Sequence, residues 1–119
     1  MPSSVRTRRI YDPPEPSDGH RVLVDRLWPR GVSKERAALA EWARDLAPSD
    51  ELRRWFHAAP EERAADFAHR YRTELDTPEA RARLTALAAL AAHAPLTLLT
   101  ANRDPAGGHV RVLVELLTG

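Results

Sequence analysis

The 119-residue chain contains no cysteine. That absence rules out disulfides, thiolate metal sites and every mechanism that runs through a cysteine nucleophile. It also removes the usual signature of a small secreted protein. Lysine is almost missing: of 18 basic residues only Lys34 is lysine, and the other 17 are arginine. Serine occurs only at positions 3, 4, 17, 33 and 49, so no Ser-His-Asp arrangement can be asserted. The opening residues MPSSVRTRRIYD lack an apolar h-region, and no uninterrupted apolar stretch approaches the roughly 18 residues of a membrane span. A cytoplasmic protein without membrane association is expected. There is no Gly-x-Gly-x-x-Gly or Walker pattern. The five histidines, at 20, 57, 69, 93 and 109, show no ligand-like spacing, so neither a metal nor a cofactor is expected.

What remains is enough for a fold. With 43% hydrophobic residues the chain can bury a core, and its length suits one domain over residues 1–119. A net charge of +1 commits it to no partner through long-range electrostatics. The excess of arginine has two readings. The planar guanidinium suits phosphate and carboxylate, whereas a GC-rich genome inflates arginine and alanine together, and alanine is abundant here as well.

Periodicity organises the chain into strands and helices. Residues 5–11 read as a first strand, closed by the turn-forming loop DPPEPSDGH. Residues 21–27 read as a second, whose continuous Val22-Leu23-Val24 run fits a central strand covered on both faces. Ser33 is placed to cap a helix containing Leu39 and Trp42, and Ser49 a short one carrying Leu52 and Trp55. A third helix follows Pro60, with Ala64, Phe67, Ala68, Tyr71 and Leu75 as its apolar stripe. Thr77-Pro78 opens a fourth, whose face is Ala80, Leu84, Leu87, Ala88 and Ala91. After Pro95 comes a third strand, residues 96–101. The loop NRDPAGG then leads into a last helix, with Val110, Leu113, Val114 and Leu117 on one side. Strands bracketing helices predict an α/β domain: one small, open, mainly parallel sheet with helices packed on it. The nine-residue connection over residues 12–20 is short for a parallel crossover, so spacing favours an antiparallel first pair.

In such sheets ligands bind outside the carboxyl ends of the strands. Two segments fall there: residues 25–31, DRLWPRG, and residues 100–104, TANRD, followed by Gly107-Gly108-His109. Arg26, Arg30 and Arg103 can fork onto an anion, and the first turn of the last helix adds positive potential. Asp25 or Asp104 can orient the arginines or act as a base, and Trp28, Asn102 and His109 belong to the same two segments. A phosphate, nucleotide or carboxylate is the ligand this predicts. Each piece also has a plainer role: Asp25 paired internally to lock the turn, Trp28 plugging a core, and the two glycines shaping a bend. A second candidate surface is the mixture of Arg53, Arg54, Arg63, Arg70 and Arg72 with Trp55, Phe56 and Tyr71. It suits a non-catalytic module for nucleic acid or protein. The interleaved Glu61, Glu62, Asp66 and Glu74 equally suit a solvated, ion-paired face. No reaction, and no oligomeric state, is assigned.

The stretches RIYDPPEPSDGHRVLVDRLWPRGVSKERAALAEWARDLAPSDELRRWF, FAHRYRTEL and LTLLTANRD resemble the YeaO-like branch of the domain-of-unknown-function 488 family, most specifically through VDRLWPRGVSK. The resemblance implies a small bacterial or archaeal α/β protein. It also implies a strand that ends in an Asp-x-Arg type turn, matched here by Asp25, Arg26, Pro29 and Arg30. Members outside this branch often carry cysteines and a Cys-His-Arg element near the last helix. Here Thr100 stands where a cysteine can occur and Gly108-His109-Val110 replaces the element, so no cysteine-dependent activity carries over. Close relatives tend to have His-Asn where this chain has Gly107-Gly108. The wider family also implies parallel first and second strands, against the spacing.

Overall fold

The computed structural model describes residues 5–118. Four strands, β1 (Val5–Arg9), β2 (His20–Leu23), β3 (Glu41–Trp42) and β4 (Leu96–Thr100), form one sheet in the order β1-β4-β2-β3, with every neighbouring pair parallel. The predicted α/β class and parallel sheet are what the chain forms. The two most apolar strands, LTLLT and HRVL, take the central positions because only they can be covered on both faces. All five residues of β4 are buried.

The helices are α1 (Lys34–Ala37), α2 (Asp50–Ala58), α3 (Pro60–Glu74), α4 (Pro78–His93) and α5 (Gly108–Thr118). Alternation along the central strands divides the core. Val22, Val24, Leu96 and Leu98 face the larger cluster, built with α2 to α5 around Phe67, Tyr71, Leu87 and Leu113. Leu23 and Leu99 face a smaller one made by Ile10, Val32 and Ala37, with Trp28 and Trp42 packed against it. Among the described residues no helix is long and apolar enough to cross a membrane.

The caps behave as the sequence suggests: Ser33, Ser49 and Thr77 accept from the backbone N–H groups of Arg36, Leu52 and Ala80. Two expectations are corrected. The spacing that favoured an antiparallel first pair fails because β1 and β2 are not neighbours; β4 lies between them, and both run parallel to it. The ten residues between Arg9 and His20 can reach roughly 33 Å, ample to return along strands of about 17 Å. The helix capped by Ser33 stops after one turn at Ala37, where Ala38 adopts φ 49°. Leu39 and Trp42 therefore lie outside it. The backbone N–H groups of Ala40 and Ala43 donate to Arg21 and Leu23 of β2, and this edge pairing outcompetes helix continuation.

Candidate functional site

The chain leaves β2 after Val24, whose N–H still donates to Leu99. Asp25 then lies beside the end of β4. Its carboxylate accepts from the Thr100 hydroxyl at 2.7 Å, the Ala101 N–H at 2.7 Å and His109 Nε2 at 3.1 Å. Three segments are thereby tied together: the end of β2, the end of β4 and the start of α5. Burial pushes the Asp25 carboxyl up, but the donors His109, Ala101 and Thr100 outweigh it and hold the group below the usual aspartate range. With Nε2 committed to the carboxylate, His109 Nδ1 is the nitrogen facing the Asn102 amide, at 3.5 Å. Asn102 is itself anchored, its N–H on the Thr100 hydroxyl and its carbonyl on the Arg9 guanidinium.

Above this knot is a cavity of about 270 Å³. Its interior carries Asp25 and His109, whose side chains are only 15% and 11% exposed, together with Asn102. Residues 25–31 form one wall. There the Trp28 indole N–H donates to the Val32 carbonyl at 2.7 Å, and the ring meets Trp42 edge-on at 5.3 Å between centroids. The Trp42 N–H in turn holds the Asp25 carbonyl. These contacts fix the turn and place Arg26 and Arg30 on the exposed rim. The opposite wall comes from α2, with Arg53 and Phe56, backed by the buried Pro48 and Phe67.

The rim is electrostatically incomplete. Arg26 Nε and Arg53 Nη2 converge on one oxygen, Asp50 Oδ1, at 3.5 and 3.4 Å. Both contacts are longer than the roughly 2.7–2.9 Å of a good charge-assisted bond. Arg53 Nε is buried and has no hydrogen-bond partner. Of the cavity's ionisable arginine and aspartate side chains, three are arginine and one is aspartate.

Of the seven residues singled out from sequence, Asp25, Arg26, Trp28, Arg30, Asn102 and His109 line this one cavity, while Arg103 does not. Sequence reasoning missed Arg53 and Phe56 as cavity residues. Their i, i+3 spacing puts them on one side of α2, but nothing in the sequence tells which way that side turns. The helical arginines of the alternative surface are largely occupied: Arg63 and Arg70 both lie over the Trp55 ring, and Arg72 pairs with Glu115.

Comparison with known proteins agrees with the resemblance seen in the sequence. The uncharacterised protein Rv3073c of Mycobacterium tuberculosis is 44% identical over 115 residues, 97% of this chain and 94% of the relative. The uncharacterised protein YeaO of Escherichia coli is 42% identical over 114 residues, 96% of each chain. No solved structure matches significantly. The family model described as the inactive DUF488-N3 subclade matches residues 4–119, and the chain, alike to these relatives over nearly its whole length, belongs to that YeaO-like DUF488 family.

Proposed function

We propose that the protein is a non-catalytic binding module whose cavity captures a small anionic ligand through Arg26, Arg30 and Arg53. The observation that carries this reading is the loose sharing of one Asp50 oxygen by two guanidinium groups, beside a buried donor without a partner. An unsatisfied buried donor costs about 1–3 kcal/mol. An oxyanion on the Arg26–Arg53 pair recovers that energy after a small rotation of the Arg53 guanidinium, and it gives each arginine a two-oxygen partner. Asp50 is half-exposed and is free to yield its place.

The non-catalytic part of this reading draws on the lining of the same cavity. The cavity is lined by no serine, threonine, cysteine or lysine. The Tyr11 hydroxyl donates to the Arg30 carbonyl, and Asp25 and His109 are engaged with each other. Such a lining offers no aliphatic hydroxyl, thiol or amine side chain for covalent catalysis. The description of the family as inactive supports this.

A thermal-shift and calorimetric screen of inorganic phosphate, nucleotides and small carboxylates tests the reading. A ligand at about ten times its Kd adds about 1.4 kcal/mol and raises Tm by roughly 5 °C. In an Arg26→Ala/Arg53→Met protein that still folds, the shift disappears. A screen without hits, or hits that persist in the double variant, overturns it.

A further inference from the structure

Resting on the anion-binding reading above, we infer that the occupant is a phosphorylated heteroaromatic ring bearing an amino group, in the size class of a single nucleotide. The rim accounts for the phosphate alone; the wall and the interior call for more. Phe56 lines the cavity half-buried, and one face of its ring is stacked on Phe67 at 4.3 Å and 27°. Phe67 stacks in turn on the buried Tyr71, 5.7 Å away. Tyr71 is pinned by its hydroxyl on the Leu46 carbonyl. Phe56 is therefore the outer member of a fixed aromatic ladder, and a flat ring gains from packing against it without the cost of ordering the wall. The buried Pro48 backs that wall, and the buried Pro29 adds apolar surface on the wall opposite.

The interior offers acceptors. A carboxylate has about four acceptor sites, and Asp25 uses three: two donors meet Oδ1 and one meets Oδ2. The Asn102 side-chain oxygen has no hydrogen-bond partner among the described residues, its amide nitrogen being turned to His109. Acceptors of Asp25 and Asn102 on the lining, an apolar wall and cations at the mouth match a ligand with an N–H₂ group on one side of a flat ring and a phosphate on the other. A cavity of about 270 Å³ lies near the lower end of small-molecule clefts, roughly 300–1,000 Å³. It has room for one nucleotide and not for two.

Calorimetric titration with cytidine and adenosine monophosphates, uridine monophosphate, ribose 5-phosphate and inorganic phosphate decides the matter. At least one of the two amino-bearing nucleotides binds about tenfold or more tighter than ribose 5-phosphate. In Phe56→Leu that preference collapses while ribose 5-phosphate affinity holds, and Phe56→Tyr retains it. Ribose 5-phosphate binding as tightly as every nucleotide overturns the ring and leaves the anion site standing. Uridine monophosphate matching the best amino-bearing nucleotide overturns the amino group. Binding by no phosphate compound overturns this inference, and the reading beneath it falls with it only when small carboxylates fail to bind as well.

Discussion

Two aspartates flank β2, and the protein treats them differently. Asp18, just before the strand, is fully buried and carries ion pairs to Arg8 at 2.8 Å and Arg21 at 2.5 Å. The remaining Arg21 nitrogens donate to the Ala37 carbonyl. Asp25, just after the strand, is held by a hydroxyl, a backbone N–H and one histidine. β4 serves both ends, with Thr97 donating to the Asp18 carbonyl and Thr100 to the Asp25 carboxylate. At Asp18 the guanidinium groups are consumed in closing the structure. At Asp25 a hydroxyl, a backbone N–H and an imidazole do that work, and the nearby arginines stay loosely paired around a cavity. Buried arginine on its own is thus no sign of a binding site; what matters is whether its donors are already filled.

That contrast can be broken most severely at the closed end. Asp18→Ala leaves the Arg21 guanidinium, only 5% exposed, without its carboxylate. Unfolding in urea should show a loss of about 3–5 kcal/mol. A loss below about 1 kcal/mol would mean that Asp18 is not the clasp described here.

Glycines sharpen the comparison next. Gly19 sits at φ 63° and ψ −125°, and a Cβ there would run into the Pro95 carbonyl. Gly31 has φ 79° with open space around it. Gly19→Ala should cost about 2–3 kcal/mol, against about 1 kcal/mol for Gly31→Ala. Equal costs, measured by denaturant unfolding, would erase the difference between a packed end and an open one.

The smallest effect is in pH. For Asp18, burial pushes the carboxyl up, but the Glu15 N–H and the two arginines more than offset it; Asp25 is lowered through its own donors. Folded values below the unfolded one of about 3.9 give stability that is fully present above that pH and is lost as pH falls toward the folded values. Unfolding free energy should therefore climb as pH rises from the folded values toward about 4 and level off above it. Asp18→Asn and Asp25→Asn should each flatten the climb, and an unchanged slope in both would count against these assignments.

The sequence by itself determined the class of fold, because the 3.6-residue stripes of α3 to α5, the caps Ser49 and Thr77, the apolar run 22–24 and the leucine-rich segment 96–99 are local patterns with local causes. It also determined that Asp25, Arg26, Arg30 and Asn102 fall just past strand ends, where parallel sheets keep their clefts, and that His109 opens the last helix beside them. It could not show that β4 slides between β1 and β2, since strand order comes from contacts between residues far apart in the chain. Nor could it stop the helix after Ala37, where pairing with β2 overrides local preference. Only the tertiary structure decided that α2 turns Arg53 and Phe56 toward the sheet's end while Arg103 stays outside. The reason is that a helix's local spacing defines its sides but not which neighbour each side meets.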